Sequence, residues 1–528
     1  MKLFIRALAL ATLFAASLAS AQFVFEDVTA KLGLAEPLKT WKVAHGIAVG
    51  DCTGDGLPEI YYGAFADRPL YTNPGGPLPN MLFLNDGGKF TLAPVGEVNL
   101  VDKRARTTMA LFADLNNDGR LDLIVGNHQN GKCYRSVLFE NLGQGKFRDA
   151  TPEPPEWLAT SSPRNISVLD FDRDGLLDLI FTDGGYGNYE KRRLHILRNN
   201  GNWTFTDVSE QYGFPADNTV GMGLAIADVN NDGVQDIFVA HSCRLFVSGP
   251  DGKYRLFDDQ GLFVRERQGD WWPCGTALGD LNGDDLLDLV IAVHGQPGMV
   301  FVYLNQGIRD GMPRFTELQS ITFPKTSPIT KLPIKCAQLA LRDMDNNGTM
   351  DIALSVLYAD KDDRPAPFIL RNQGNDKDGR PQFAVPPVER VLSYYAVGAI
   401  VDYDRDGRTD FVLPAWFDEQ ENLALRNVTP GGNWLLVQVK GTQPGFNPMG
   451  IGAIIRAYPA GNAGQGAPLA RYDLTIGNGY SSGEEAIAHL GLGKAAACDL
   501  VITWQGRRQI IRSVKANQLL QVKFEATP

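Results

Sequence analysis

Short runs of apolar residues alternate with tight polar turns along most of this chain. Many of the runs mix small with large apolar residues, as at positions 46–49 and 109–112. Each is followed, after one turn, by a β-branched or aromatic run, as at 60–62 and 123–125. These runs predict pairs of β-strands joined by hairpin loops. Small residues at alternate positions suit strands that crowd around a shared axis.

The turn between the two runs is an acidic loop with the pattern Asp-x-(Asp/Asn/Thr)-x-(Asp/Asn)-Gly-x-x-(Asp/Glu), which recurs at intervals of 52 to 63 residues. Self-similarity at a fixed period indicates a repeat fold rather than a single core. Most repeats continue with a third run that ends in an Asn-x-Gly turn and then with a fourth run, so each repeat predicts four antiparallel strands. The seven loops begin at Asp51, Asp114, Asp170, Asp228, Asp280, Asp343 and Asp402.

Seven repeats of this kind predict an all-β fold, a seven-bladed β-propeller over residues 22–430. Residues 23–29 match the fourth run of a repeat but precede the first loop, whereas the seventh repeat stops after its third run, near residues 423–427. We therefore expect the N-terminal strand to complete the last blade and close the ring, because this removes two exposed sheet edges.

Residues 431–528 follow a different pattern. Short alternating runs between Gly-rich turns predict a small β-sandwich or barrel domain. Residues 479–483, Gly-Tyr-Ser-Ser-Gly, also fit the Gly-x-Ser-x-Gly nucleophile elbow of hydrolases. That elbow needs a following helix and a well-separated His partner, and the one later histidine, His489, is close by with no α/β pattern around it. The hydrolase interpretation is therefore disfavoured.

The first 21 residues combine two positive charges, a short apolar run and the small residues Ala19 and Ala21, which predicts a secretory signal peptide. No later run approaches the roughly 18–20 apolar residues needed to span a bilayer. We expect an exported, monomeric protein, extracellular or periplasmic, without a membrane span. In such a protein six cysteines permit disulfides. A pair among Cys243, Cys274 and Cys336 and free buried thiols both remain open.

The acidic loops predict calcium sites. Carboxylates at positions 1, 3, 5 and 9 and the carbonyl of position 7 converge on one point, and Ca²⁺ takes 6–8 oxygen ligands. Multi-carboxylate cages suit Ca²⁺ better than Mg²⁺, and the lack of His and Cys at these positions disfavours zinc. Position 12, a bidentate Glu in EF-hands, is apolar in every copy. The predicted ligands of up to seven Ca²⁺ ions are Asp51, Thr53, Asp55, Glu59, Asp114, Asn116, Asp118, Asp122, Asp170, Asp172, Asp174, Asp178, Asp228, Asn230, Asp232, Asp236, Asp280, Asn282, Asp284, Asp288, Asp343, Asp345, Asn347, Asp351, Asp402, Asp404, Asp406 and Asp410.

The copies differ in ligand quality. Loops three and seven carry four carboxylates, and loops two and four carry three and an Asn, so these four are expected to bind best. Thr53 at position 3, Asp285 in place of Gly and Asn347 at position 5 predict weaker occupancy of loops one, five and six. The alternative is a set of acidic turns satisfied by their own Asx hydrogen bonds. Seven divalent cations would bring the formal charge of −11 to about +3, so the acidity does not require a polycationic partner, and nothing indicates nucleic acid.

On these loops and the Gly-rich C-terminal segments, the chain resembles the FG-GAP/VCBS repeats of integrin α-subunit propellers. Over residues 23–525 it is similar to the cartilage acidic protein family, which carries a C-terminal ASPIC/UnbV domain. Gly483 stands where that pattern usually has Gln after the paired serines. The resemblance implies calcium hairpins on one face of the propeller and ligands on the opposite face.

Residues six to eight positions before each loop enter the inner strands from that opposite face. Cations and aromatic rings there suit an anionic or sugar-like ligand, although ordinary rim residues are the alternative. The candidates are His45, Arg106, Arg164, Trp272, Lys335 and Tyr395. We thus expect a secreted calcium-binding module of the adhesion type for a protein or glycan ligand. The alternatives are a lyase, hydrolase or cyclase acting in the central funnel, for which no catalytic residue is predicted, and a structural envelope protein.

Overall fold

The computed structural model describes residues 23–65, 78–94, 106–128, 135–152, 163–183, 193–215, 219–264, 272–327, 331, 333–359, 364–386 and 391–525. The predicted signal peptide, residues 1–21, and Cys133 lie outside these residues. The described part is all-β apart from one short helix, α1 (Ala35–Leu38). None of its helices is long and apolar enough to cross a membrane.

The strands of the repeat region are, in chain order, β1 (Phe25–Asp27), β2 (Ala44–Gly50), β3 (Glu59–Ala64), β4 (Met81–Asn85), β5 (Phe90–Leu92), β6 (Thr107–Ala113), β7 (Asp122–Asn127), β8 (Val137–Gly143), β9 (Lys146–Asp149), β10 (Pro163–Leu169), β11 (Asp178–Asp183), β12 (Leu194–Asn199), β13 (Phe205–Asp207), β14 (Gly221–Ala227), β15 (Asp236–His241), β16 (Arg244–Ser248), β17 (Tyr254–Leu256), β18 (Trp272–Gly279), β19 (Asp288–His294), β20 (Met299–Arg309), β21 (Met312–Thr322), β22 (Leu339–Arg342), β23 (Asp351–Ala359), β24 (Pro365–Asn375), β25 (Pro381–Ala384), β26 (Val391–Tyr394), β27 (Ala399–Val401), β28 (Asp410–Leu413) and β29 (Leu423–Asn427). The C-terminal strands are β30 (Asn433–Gly441), β31 (Ile454–Pro459), β32 (Ala470–Asp473), β33 (Ser482–Gly483), β34 (Ala488–Gly493), β35 (Ala497–Trp504), β36 (Arg507–Lys515) and β37 (Leu519–Phe524).

Within the described residues, strands β1–β29 form seven small antiparallel sheets. Five sheets contain four consecutive strands each: β2–β5, β6–β9, β10–β13, β14–β17 and β18–β21. The sixth contains β22–β25, with β26 paired to β23, and the seventh contains β27–β29 and β1. In the last sheet Phe25 pairs with Asn427 and Asp27 with Leu425, which is the pairing expected for residues 23–29. Many small four-stranded sheets are consistent with a β-propeller.

An asparagine at the end of the third strand connects most sheets to the preceding one. The Asn141 side chain donates a hydrogen bond to the carbonyl of Cys52, 2.8 Å away in the preceding loop. The same bond links the first sheet to the seventh, because Asn85 donates to the carbonyl of Tyr403 at 3.1 Å. The other described pairs are Asn199 with Leu115, Asn305 with Val229, Asn372 with Leu281, and Asn427 with Met344. The Asn-x-Gly turn therefore also bonds neighbouring sheets together.

The first strand of each of the first four sheets, β2, β6, β10 and β14, is buried along its whole length. Small residues are needed there because adjacent sheets come into close contact. A Cβ atom on Gly46 would lie 3.1 Å from the backbone nitrogen of Met109, and one on Gly275 would lie 2.7 Å from the carbonyl oxygen of Ala337. The mixture of small and large apolar residues in the sequence thus reflects this crowding.

The C-terminal strands form two sheets, ordered β34-β30-β37 and β32-β31-β35-β36. Their inner side chains meet in one hydrophobic cluster that includes Leu435, Ile455, Leu500, Trp504 and Phe524. Two sheets packed on one shared core make a small β-sandwich. Strand β33 stands apart, because it pairs in parallel with β2 of the first sheet instead of with either sheet of this domain.

Four described cysteines, Cys52, Cys274, Cys336 and Cys498, are buried thiols outside any disulfide. Burial raises the pKa of the Cys274 thiol to about 12. The pKa of Cys336 is also well above its usual range for the same reason. Of the two alternatives left open by the sequence, these four positions therefore take the unpaired one.

Candidate functional site

In most of the acidic loops the first and last carboxylates accept hydrogen bonds from backbone N–H groups of the loop. In the second loop, the Asp114 carboxylate accepts hydrogen bonds from the backbone N–H groups of Asp118 and Gly119, at 3.1 and 2.9 Å. Asp122 accepts from the N–H of Leu115 at 2.9 Å. Gly119 has a φ of 84°, a left-handed conformation that glycine adopts without steric cost. These bonds turn the carboxylates of positions 1 and 9 toward one another.

Three of the seven loops bring carboxylates from positions 1, 3 and 9 together. In each group one carboxylate oxygen per residue lies within 4.8 Å of the others. Oxygen atoms grouped at this spacing fit a hard divalent cation such as Ca²⁺. The groups are Asp170, Asp172 and Asp178; Asp343, Asp345 and Asp351; and Asp402, Asp404 and Asp410.

Burial makes these carboxylates costly to ionise. Burial first, and then the neighbouring carboxylates, raise the pKa of Asp170 to about 7, that of Asp343 to about 8 and that of Asp178 to about 9. Oδ1 of Asp345 and Oδ1 of Asp404 are buried and accept no hydrogen bond from any described residue. A cation at these loops would offset the repulsion and give the two oxygens a partner, so the residues fit the predicted ion.

The loops with Asn at position 3 are arranged differently. The side-chain amide of Asn116 donates to the Asp118 carboxylate at 2.9 Å. The amide of Asn230 donates to Asp232 at 3.0 Å. In these loops the amide donates a hydrogen bond to a carboxylate oxygen that a cation would otherwise coordinate. Loop six, expected to bind weakly, instead has three buried carboxylates in one group, because its Asn lies at position 5.

Loop five departs from the pattern at Asp285, which takes the place of the usual glycine at a φ of 66°. The Asp285 carboxylate is 2.7 Å from the Arg456 guanidinium, and its carbonyl accepts a hydrogen bond from Arg471 at 2.6 Å. Both arginines belong to the C-terminal domain. The residue that weakens the loop motif therefore serves as a docking contact for that domain.

The C-terminal domain lies over the acidic loops. The Arg471 side chain is 0% exposed and donates to the Asn231 side chain at 2.8 Å and to the Asp473 carboxylate at 2.8 Å. Arg405, in the seventh loop, makes a two-bond ion pair with Glu485 at 2.7 and 2.8 Å. Charged groups of the two domains thus neutralise each other where the loops meet the sandwich.

A segment of the C-terminal domain, residues 476–483, lies among the inner strands of several sheets. We call it the channel segment. The amide nitrogen of Asn165, in the third sheet, donates to the carbonyls of Gly477 and Gly479 at 3.2 and 2.9 Å. The N–H of Gly479 donates to the carbonyl of Leu224, in the fourth sheet, at 2.7 Å. Gln338, next to the sixth sheet, donates to the Ser482 hydroxyl at 2.6 Å.

Tyr480 carries the channel segment to one of the predicted ligand-face residues. Its hydroxyl is 2.9 Å from Nε2 of His45, which is buried. The His45 ring stacks on Phe65, with ring centroids 4.4 Å apart, and meets Trp416 edge to face. Tyr480 of the same chain therefore occupies the space beside His45, which the sequence had offered as a candidate ligand contact.

The other predicted ligand-face residues differ in accessibility. Arg164 is buried, and the buried Tyr395 donates its hydroxyl to the carbonyl of Glu421 at 2.9 Å. Arg106, Trp272 and Lys335 are half-buried. These three side chains are partly exposed and could contact a ligand.

The cations of this face lower the pKa values of two histidines close to them. The pKa of His128 falls to about 3, through burial first and then the nearby Arg164 and Arg106. The pKa of His294 likewise falls to about 3, through burial first and then Lys335 and Arg164. Arg164 acts on both histidines, so Arg106, Arg164 and Lys335 lie in the same region of the molecule.

Sequence reasoning missed the channel segment and the docking of the C-terminal domain on the loops. The one available signal was the dense glycine pattern of residues 477–483. Gly477 and Gly479 have φ values of 73° and 82°, and Cβ atoms there would lie 2.8 Å from the Ile166 carbonyl and 2.7 Å from the Gln338 side chain. Glycine is required at both positions by backbone conformation and by space.

Comparison with known proteins agrees with this organisation. The family model for the FG-GAP-like repeat matches residues 51–125, 114–181, 182–239 and 280–354, and the model for ASPIC and UnbV matches residues 443–528. Cartilage acidic protein 1 of Mus musculus is 25% identical over 505 residues, which cover 91% of this chain and 64% of that protein. The chain thus spans less than two thirds of that relative.

Two further relatives match smaller parts. The T-cell immunomodulatory protein homolog of Plasmodium yoelii yoelii is 23% identical over 47% of this chain and 44% of its own length. Integrin alpha-V of Gallus gallus is 25% identical over 38% of this chain and 20% of its own length.

Proposed function

Because the chain belongs to the FG-GAP repeat proteins with a C-terminal ASPIC and UnbV domain and is homologous to cartilage acidic protein 1, we propose that it is an extracellular, calcium-stabilised module of the adhesion type. It binds a protein or glycan partner and catalyses no reaction. Homology to integrin alpha-V supports this role. Export would proceed through the signal peptide in residues 1–21, and the mature protein would be monomeric.

The repeat region, residues 22–430, forms a seven-bladed propeller closed by the N-terminal strand. Its support is the set of seven described sheets, the pairing of β1 with β29 and the hydrogen bond from Asn85 to Tyr403. That bond joins the first and seventh sheets in the same way as consecutive sheets are joined. Residues 431–528 form the second domain.

The observation that carries calcium binding is the grouping of three carboxylates, at least one of them buried, in each of three loops. Positions 1, 3, 5 and 9 of the loops hold the ions, with loops three, six and seven binding most tightly. The ion neutralises carboxylates that burial makes hard to ionise. Its role is structural.

Calorimetric titration and thermal melts test this proposal. A ligand present at 100 times its Kd stabilises the folded state by about 2.7 kcal/mol, so calcium should raise the melting temperature and a chelator should lower it. Asp404→Asn should weaken calcium binding in loop seven. Glu36→Gln changes a carboxylate that is 85% exposed and outside the loops, and serves as the control. A melting temperature indifferent to the chelator would refute calcium stabilisation.

Partner binding is assigned to the face of Arg106, Trp272 and Lys335, opposite the loops. Clustered cations beside aromatic rings favour an anionic or sugar-like group. A glycan and small-anion array should retain ligands for the wild type and lose them for Arg106→Ala/Lys335→Ala. The control variant, Lys253→Ala/Arg255→Ala, removes the same two charges at exposed positions in another part of the chain. Equal binding by all three proteins would contradict this assignment.

The enzyme alternative requires a central funnel open to substrate. The channel segment hydrogen-bonds to strands on several sides of that funnel, through Asn165, Leu224 and Gln338. This occupancy favours the binding module over a lyase, hydrolase or cyclase. Turnover of any compound retained on the array would reverse that preference.

A further inference from the structure

The channel segment has the contacts of a bound peptide. Backbone groups of Gly477, Gly479 and Ser481 bond to residues of the repeat region, not to the domain from which the segment comes. The N–H and C=O of Gly479 both pair with Leu224, at 2.7 and 3.1 Å. The carbonyl of Ser481 accepts from the N–H of Ile47 at 3.2 Å. A reciprocal pair of backbone bonds is how an extended peptide adds to the edge of a sheet.

Side chains of the repeat region complete the recognition. Asn165 holds two carbonyls of the segment, and Gln338 accepts from the N–H of Tyr480 while donating to the Ser482 hydroxyl. The N–H of Ile226 donates to the Asn478 side chain at 3.0 Å. Buried amide side chains that find donors and acceptors on a peptide confer specificity, because an unmatched peptide would leave them unsatisfied.

The space around the segment restricts its sequence. Cβ atoms added to Gly477 and Gly483 would lie 2.8 and 2.7 Å from the carbonyls of Ile166 and Ala110. Tyr480 is the one large side chain between these glycines, and it is buried in the cluster that includes Met222 and Cys274. The surrounding strands therefore fit a glycine-rich peptide with a single aromatic anchor.

We propose that the inner strands of the repeat region form a binding site for a glycine-rich peptide with one tyrosine, and that residues 476–483 are its resident, tethered ligand. The C-terminal domain is held over the acidic loops by this insertion, by the ion pair between Arg405 and Glu485, and by the hydrogen bonds of Arg471 to Asn231 and Asp285. Tethering gives the resident segment an effective concentration of order millimolar, so a free peptide cannot displace it from the intact protein. The proposal is independent of calcium, which all measurements hold constant.

The test compares two glycine variants of the full chain. Gly479→Ala and Gly466→Ala both place alanine at a positive φ, 82° and 74°, in the same domain, but nothing lies within 4 Å of a Cβ atom at Gly466. A difference between the two variants therefore reports the steric clash of a Cβ atom inside the site, because the backbone strain is similar in both. Hydrogen exchange at the amides of Leu224, Gly479 and Ile47 should be roughly tenfold or more faster in Gly479→Ala than in wild type, and unchanged in Gly466→Ala. Slow exchange in both variants, or unprotected amides in the wild type, would overturn the proposal.

A labelled peptide with the sequence of residues 476–483 provides the second readout, beside a scrambled peptide of the same composition. It should bind Gly479→Ala but neither the wild type nor Gly466→Ala. Binding to the wild type would place the peptide elsewhere, and binding to none of the proteins would mean that the strands are not a peptide site. If Gly479→Ala fails to fold by circular dichroism, Tyr480→Phe replaces it. That change removes only the hydroxyl 2.9 Å from His45 and should produce the same exchange pattern at smaller amplitude.

Discussion

Replacement of Arg471 by methionine probes a buried ion pair of the C-terminal domain at the surface where it contacts the repeat region. The Arg471 side chain is 0% exposed, and it bonds to the Asp473 carboxylate, to the Asn231 side chain and to the carbonyl of Asp285. Asp473 raises the pKa of Arg471 above its usual range, although burial acts in the opposite direction and is the largest effect. The guanidinium is therefore positively charged at neutral pH.

Arg471→Met keeps the side-chain volume but leaves Asp473, whose side chain is 9% exposed, without its cation. Removal of one partner from a buried ion pair costs about 3–5 kcal/mol, because the remaining charge stays buried. We expect a loss of this size in the free energy of unfolding, measured by urea titration at fixed calcium. Arg255→Met is the matched control. Its pair with Asp251 is about half exposed on both sides, and surface pairs contribute about 0–1 kcal/mol.

A double variant distinguishes the cost of the unpaired Asp473 carboxylate from other effects of the Arg471→Met substitution. Arg471→Met/Asp473→Asn removes both charges, and replacement of both partners of a buried pair is often close to neutral. We expect the double variant to be more stable than Arg471→Met alone. Equal stability of Arg471→Met and Arg255→Met, or a double variant no more stable than Arg471→Met, would refute the role given to this pair.

Three further outcomes follow from the same geometry. In chelator, the free energy of unfolding should fall as pH rises from about 4 to about 9, because the folded-state pKa values of Asp170, about 7, and Asp178, about 9, exceed their unfolded values. Added calcium should remove this loss of stability. A free energy of unfolding that rises with pH in chelator would contradict the prediction. Asn199→Ala should cost about 1–3 kcal/mol in urea titration, because it deprives the carbonyl of Leu115 of its donor from the next sheet, whereas Asn200→Ala, at an exposed position, should cost far less. Asp345→Asn should weaken calcium binding in calorimetric titration more than Asn347→Ala does, because Asp345 belongs to the carboxylate group of loop six and Asn347 does not; the reverse order would restore the expectation that this loop binds weakly.

The repeat region could be predicted because its structure is local. Most sheets are built from four consecutive strands, so the order of runs and turns in the sequence already specifies which strands pair. The pairing of β1 with β29 could be predicted for a related reason, because an incomplete repeat at each end of the array predicts that the two ends pair with each other. Spacing within a single turn predicted carboxylate groups in loops three and seven, whereas the group in loop six was expected to be weak.

The contacts between domains could not be predicted in this way. Arg471 meets Asn231 across 240 positions of sequence, and no periodic pattern links them. Asp285 was interpreted only as a defect in its loop, because its partners Arg456 and Arg471 lie in another domain. His45 was expected to face a ligand, and a sequence pattern that places it at the mouth of the funnel cannot reveal that Tyr480 fills the same space.

The positions of the acidic loops and of the channel segment make the two domains interdependent. The sandwich covers the loops, so ions bound there would stabilise the surface on which it rests as well as the hairpins that hold them. The channel segment enters the repeat region from that same side, since Glu484, the residue after the segment, pairs with Arg342 at 2.6 Å, directly before the sixth loop. Removal of calcium should therefore loosen the sandwich before it opens the individual sheets. Hydrogen exchange in chelator would show this as a rise at Gly479 and Leu224 that precedes any rise at strands β7 and β11, and the opposite order would mean that the two domains are stabilised separately.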